Sequence, residues 1–389
     1  MKKLSNVSQV VTPSPIREMF NRAIGMEDVI SFTVGEPDFQ TPKHIVDAAV
    51  TALQNGEHRY TPNAGIMPLR EVISKTIQAS HGVTYDPNSQ IIVTAGGMEA
   101  LMLTFMVLLD PTDEFILCDP CWTNYSRQVL MTGATPKFVS VNASNNFQFD
   151  PEALEAAITE NTKGFLINSP ANPTGGIASR AQLEKLAEIA IKHDLFVVTD
   201  EVYSKLTYEN NEVFSIASLP GMAERTIIIN SFSKTYAMTG WRVGFAMGPT
   251  DVIKNMVKLQ ENVCACVNSA AQFAAKAALE SSQESVDEMR KAYARRRELV
   301  VEGFSKINGL DCFAPQGAFY AFVDISGTGM KARDFAMDLL EKNRVIVVPG
   351  NAFGQDSDRY IRLSFATSEE NILEGIKRIG QYVAALEKK

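Results

Sequence analysis

Between roughly residues 45 and 280 the chain alternates two hydrophobic patterns. One is a set of short, nearly unbroken apolar runs: QIIVTAG, EFILCDP, PKFVSV, KGFLINSP, LFVVTDEVY, RTIIINSFSK and RVGFAMG. Their length and their β-branched and aromatic content predict strands. The other pattern, in stretches such as EALMLTFMVLLD and RAQLEKLAEIAIKH, has the three-to-four-residue apolar period of a helix. A strand that is apolar on both faces must be covered on both faces, so the alternation predicts an α/β fold with a largely parallel sheet between helices. Beyond it, SQESVDEMRKAYARRRELVVEGFSKI predicts one long charged amphipathic helix. Strand-like GAFYAFVDI, VIVVPG and YIRLSFA then intersperse with helical ARDFAMDLLEKN and EENILEGIKRIGQYVAALEKK, as in a smaller α+β domain. The first ~40 residues are irregular and proline-rich. The predicted division is an N-terminal arm over 1–15, a small domain from 16–45 and 285–389, and a large domain over 46–284.

Composition narrows the function classes. With 389 residues, 45% hydrophobic and 21% charged, the chain has an ordinary globular make-up and folds without covalent staples. A net charge of -8 argues against nucleic acid or an anionic membrane as partner. No apolar stretch approaches the ~18 residues of a membrane span. The opening MKKLSNVSQVVTPSP has no apolar segment behind its lysines, so a cytoplasmic location is expected. Cys118, Cys121, Cys264, Cys266 and Cys312 are too few and of odd number for a disulfide framework. CDPC has a C-x-x-C spacing, but the cysteines are read as buried small hydrophobes. His44, His58, His81 and His193 show no ligand spacing and are read as surface or structural; no metal is expected.

In open α/β sheets, ligands bind beyond the carboxyl ends of the strands. Three runs end there in polar residues: Asn172 in NSPANPTGG, Asp200 and Tyr203 in DEVY, and Ser231, Ser233 and Lys234 in NSFSK. A fourth run ends in GGMEAL, a glycine pair opening a helix, whose backbone N–H groups suit a phosphate. A phosphate cradle, a carboxylate, a lysine and a phenol at one edge match pyridoxal 5'-phosphate. The lysine forms a Schiff base with its aldehyde, the carboxylate pairs with its ring nitrogen, and Arg242 supplies a fixed charge for its phosphate.

On these residues the chain resembles the class I/II aminotransferases of the fold-type-I pyridoxal-phosphate family. FTVGEPDFQTP, YTPNAGIMPLR, NSPANPTGG, TDEVY, SFSKTYAMTGWRVG, GAFYAF and RLSFA match the family's motifs in order, over nearly the whole length. The resemblance implies a seven-stranded, mainly parallel sheet with a smaller domain, and a homodimer. It implies that Lys234 anchors the cofactor and shuttles the substrate proton, and that Asp200 holds the ring nitrogen. Tyr203 and Asn172 would bond the ring oxygen, and Trp122 would stack on the ring. Gly97, Met98, Ser231, Ser233 and Arg242 would surround the phosphate, with Tyr60 reaching a phosphate across the subunit interface. Arg362 and the Gly35 backbone would take the substrate α-carboxylate, while Ile16, in amphipathic SPIREMF, would sit in a lid segment facing substrate. Tyr320 reads equally as core or as pocket wall.

SFSK also has the S-x-x-K spacing of serine acyl-transfer enzymes, but the S-D-N and K-T-G elements are missing. A regulator that keeps the fold needs a DNA-binding domain ahead of it, for which the pattern leaves no room. Within the family, a C–S β-lyase, or an aminotransferase for alanine or N-acyl-diaminopimelate, stays open. The expected activity is transfer of the amino group of an aspartate-type or aromatic L-amino acid to a 2-oxo acid such as 2-oxoglutarate. Related aspartate enzymes place a cation against the distal carboxylate, in one subgroup a lysine just after the glycine pair; here that position is Met98, with Arg17 and Arg59 as possible substitutes.

Overall fold

The protein is described as a computed structural model covering residues 2–12 and 15–386, the side chains of 15–17 excepted. In chain order the strands are β1 (Ile30–Ser31), β2 (Ile91–Thr94), β3 (Glu114–Asp119), β4 (Thr135–Ser140), β5 (Thr162–Asn168), β6 (Phe196–Asp200) and β7 (Thr226–Ser231). They continue with β8 (Gly244–Met247), β9 (Asp311–Cys312), β10 (Tyr320–Asp324), β11 (Val345–Ile346), β12 (Val348–Pro349) and β13 (Tyr360–Ser364). The seven apolar runs are β2 to β8, and they form one sheet in the order β2-β8-β7-β6-β5-β3-β4. Only β8 runs antiparallel to its neighbours β2 and β7.

The unbroken apolar character of these strands has a direct cause. Ile92, Phe115, Leu117, Leu166, Val198, Ile227, Ile229 and Ala246 face one core, under the helices Gly97–Leu108, Thr123–Thr132 and Thr250–Val263. Their chain neighbours Ile91, Val93, Ile228, Phe245 and Met247, and Ile116, Phe165, Ile167 and Val197, face the opposite side. Burying each such side chain contributes about 1.5–3 kcal/mol, so both faces reward apolar residues. Local signals delimit the helices. Ser179 and Gln182 form a capping box that starts Arg180–Lys192, and Gly82 and Gly133, in left-handed conformation, end Met67–His81 and Thr123–Thr132.

The long charged helix spans Glu284–Phe304. A four-stranded sheet follows, ordered β12-β13-β10-β9, and β1 pairs in parallel with β11, which ties residues 30–31 to 345–346. The two-residue strands β1 and β9 carry no periodicity and are invisible to pattern reading. PIREMF opens the helix Pro15–Arg22, and Asn6–Val10 forms a further short helix where the sequence suggested irregular chain. Among the described residues no helix is long and apolar enough to cross a membrane. All five cysteines are free. Cys121 is buried as expected, but Cys264 is exposed, where its thiol donates to Glu99 Oε1 at 3.1 Å; it does not act as core.

Candidate active site

The parallel strands β5, β6 and β7 end at Asn168, Asp200 and Ser231 on one edge of the sheet, with Asn168 and Asp200 directly opposite in register. Over that edge lies a cleft of about 290 Å³, closed on its far side by β10 and β13. Gly35, Gly97, Met98, Trp122, Asn172, Asp200, Tyr203, Ser231, Ser233, Lys234, Arg242 and Arg362 all line it. Tyr60 does not: it is 90% exposed and outside the lining of this chain's cleft. Arg59 is likewise exposed and outside the lining. The side chains of Ile16 and Arg17 lie outside the described residues.

One end of the cleft is built for an anion. The helix Gly97–Leu108 presents its N-terminus, flanked by Ser231 and Ser233, whose hydroxyls are 2.9 Å apart. Arg242 donates to the carbonyls of Thr239 at 2.9 Å and Ala95 at 3.3 Å. Gly96, at φ +84°, makes room for it: a Cβ there would lie 2.4 Å from Arg242 Nη2.

At the centre, Asp200 is buried and accepts from the Tyr125 hydroxyl at 2.6 Å and the Val202 amide at 3.2 Å. Burial pushes its carboxyl up to about 6, against the pull of those two hydrogen bonds. Among the described residues no basic side chain is bonded to it, which leaves an acceptor position on a carboxylate that lines the cleft. Lys234 donates to the Gly35 carbonyl at 2.5 Å, and burial pushes its ammonium down to about 8, with Glu36 opposing. Tyr203 exchanges a hydrogen bond with Tyr320 at 2.9 Å, and burial drives loss of its phenol proton well above the ordinary range. Trp122 stands half-buried and edge-on to Tyr125, with ring centroids 5.3 Å apart.

The other end holds Arg362, 1% exposed, its guanidinium between the rings of Tyr320 (4.7 Å) and Phe353 (5.0 Å). It donates to Asn172 Oδ1 at 3.2 Å and to the Thr33 carbonyl at 2.6 Å, while its Nε is buried with no partner. Among the described residues no carboxylate pairs with it. A buried cation without an anion is costly, so it marks a place where an anionic ligand completes the structure. Gly35 approaches this end closely, for a Cβ on it would lie 2.4 Å from the Tyr320 hydroxyl. Tyr320 is therefore both core, at 1% exposed, and cleft wall.

Sequence reading missed Tyr125, Asn168 and Thr33. Tyr125 stands three positions after Trp122 in WTNY, one helical turn on, which was the available signal. The donor set suits pyridoxal phosphate: an anion cradle, a buried carboxylate with a free acceptor position, phenol and amide groups, a lysine and a flat indole share one cleft.

Comparisons with known proteins show the family. The sequence model described as "Aminotransferase class I and II" matches residues 27–379. A putative aminotransferase, YugH, of Bacillus subtilis is 43% identical over 98% of each chain. An aromatic-amino-acid aminotransferase of Thermococcus litoralis is 40% identical over 97% of each chain. The solved structure of a Thermus thermophilus aspartate aminotransferase with maleate superposes with a TM-score of 0.93 at 38% identity, covering 98% of this chain and 100% of that one.

Proposed function

The chain belongs to the aminotransferases of class I and II, which depend on pyridoxal 5'-phosphate, and from that premise we propose how its own residues carry out the transfer and on which substrates. The donor is an aromatic or aspartate-type L-amino acid and the acceptor a 2-oxo acid such as 2-oxoglutarate. The observation that carries this reading is Arg362, a buried guanidinium lacking a carboxylate partner among the described residues, beside the lysine. It grips the α-carboxylate shared by every amino and 2-oxo acid, and its fork holds two oxygens where an ammonium holds one.

Bound pyridoxal phosphate supplies an electron-accepting ring next to the carbon that carries the exchanged nitrogen. Gly97, Ser231, Ser233 and Arg242 would hold its phosphate. Asp200 would hold the proton on its ring nitrogen, while Tyr125 keeps that carboxylate oriented. Tyr203 and Asn172 would donate to its ring oxygen, and Trp122 would cover its face. The Lys234 amine, pushed down to about 8, is near neutral pH both a proton acceptor and a donor, so it suits moving the α-proton of the substrate. Burial of the cleft residues keeps water from that proton.

The cations lining the cleft are Lys234, Arg242 and Arg362, each already assigned. An aromatic side chain would meet apolar lining such as Leu101, whereas among the described residues a second carboxylate finds no further cation there. We include in the proposal a homodimer in which the exposed Tyr60 enters the partner's phosphate site, and the division into an arm, a large domain over 46–284 and a small domain from 16–45 and 285–389. The β1–β11 pairing supports that division.

The test is to purify the protein with pyridoxal phosphate and supply tyrosine, phenylalanine or aspartate with 2-oxoglutarate. Glutamate should form, and the covalent linkage to the cofactor should be lost in Lys234→Ala. Glutamate formation from none of these donors would refute the substrate assignment. Sedimentation as a monomer at micromolar concentration would refute the dimer.

A further inference from the structure

Behind the cleft, the chain neighbour of Asp200 is buried as well. Alternation along β6 turns Thr199 and Glu201 to the face opposite Asp200. Glu201 is fully buried. Its Oε1 accepts from Ser215 Oγ at 2.6 Å and Thr199 Oγ1 at 3.2 Å, and its Oε2 lies 2.7 Å from His81 Nε2. Both side chains of this pair are nearly inaccessible, at 7% and 1%. His81 is the last residue of Met67–His81, where the carbonyl end of the helix favours a cation. The bonds to Glu201 raise its pKa despite the opposing effect of burial and, more weakly, of Lys205. Tyr85, 1% exposed with an unpartnered hydroxyl, also feels the charge of Glu201.

Two buried carboxylates one residue apart repel: the Tyr125 hydroxyl and Lys234 favour the charge on Asp200, and the field of Glu201 opposes them. We propose that His81 and Glu201 form a buried ion pair that sets the charge of Asp200, which makes both of them positioning residues for the cofactor's ring nitrogen. Imidazolium at 81 cancels the field of Glu201 and lets Asp200 stay anionic at neutral pH. The inference rests on Asp200 facing the ring nitrogen, as proposed above.

The signature is one of sign. In His81→Gln the charge of Glu201 is uncompensated, and Asp200 keeps its proton to higher pH. In Glu201→Gln the repelling charge is gone, and Asp200 releases its proton at lower pH. The double variant should return close to wild type. The probe is pyridoxine 5'-phosphate, which keeps the ring nitrogen and phosphate but has no aldehyde for Lys234. Its Kd is measured against pH by fluorescence, with Asp200→Asn as the reference that removes the carboxylate. The acid-side midpoint should move up by about one pH unit in His81→Gln and down by about one in Glu201→Gln. Singles that move it the same way, or not at all, overturn the proposal, as does a double variant whose shift is the larger. If His81→Gln fails to fold by circular dichroism, Glu201→Gln decides alone, because its amide still accepts from Ser215 and Thr199; an unmoved or raised midpoint then overturns the proposal. Failure of the wild type to bind either pyridoxine or pyridoxal phosphate would instead refute the cofactor site itself.

Discussion

Replacing Arg362 with lysine keeps a positive charge and removes the fork. In the structure the guanidinium is fixed by Asn172 Oδ1, the Thr33 carbonyl and two flanking rings, so a substrate carboxylate meets a cation already in place. A lysine there gives up one of two charge-assisted hydrogen bonds, each contributing about 1.5–3 kcal/mol. It also gives up part of the ring contacts, about 0.5–1 kcal/mol. The sum, roughly 2–4 kcal/mol, corresponds to a fall of about 30- to 1000-fold in kcat/KM at 1.36 kcal/mol per decade. The assay compares tyrosine with tyramine, which lacks only the α-carboxylate, in wild type and Arg362→Lys. The loss should fall on tyrosine alone, so the preference of the wild type for tyrosine should shrink by the same factor. A decrease of under threefold, or an equal decrease for both amines, would refute the reasoning; the first removes the clamp and the second points to general damage.

Two further perturbations test other parts of the cleft. Gly35→Ala sets a Cβ 2.4 Å from the Tyr320 hydroxyl, while the next ring atom is 3.3 Å away. Activity should fall about tenfold, and Tyr320→Phe in the same chain should restore part of it; an active single variant, or a double variant worse than the single, counts against this packing. For the cofactor-free protein, the Asp200 carboxyl sits at about 6 against an ordinary 3.8, so between those values the native state binds the extra proton. That stability is present at low pH and lost as pH rises through 6. Urea unfolding from pH 4.5 to 6.5 should show wild type losing roughly 2 kcal/mol more than Asp200→Asn. Parallel curves would show that the carboxylate is not desolvated.

Much of the seven-stranded sheet was legible because each of its strands is buried on both faces, which leaves an unbroken apolar run. Lys234, Asp200 and Asn172 were legible for a related reason: polar residues immediately after such runs have one edge of the sheet to occupy. Arg362 was harder, since it lies inside β13 and only its motif drew notice. Tyr125 reads as a core aromatic until Asp200, 75 residues away, is placed against its hydroxyl. His81 and Glu201 are separated by 120 positions, and neither a lone histidine nor a Glu beside an Asp points to the other. The two-residue strands β1 and β9 are defined by their partners and have no pattern of their own. The exposure of Cys264 follows from its place at the C-cap of Thr250–Val263, which composition does not register.

The bond from Arg362 to the Thr33 carbonyl joins positions 329 apart, and that from Lys234 to Gly35 joins positions 199 apart. Protein synthesis proceeds from the N-terminus, so the strand ends that would hold the cofactor emerge long before β13 does. A growing chain therefore reaches a stage at which the lysine, the carboxylate and the anion cradle exist and the substrate clamp does not. Chains that stop short of Arg362 would lack a grip on amino acids, and the last strand to be made is the one that gives the finished molecule its selectivity.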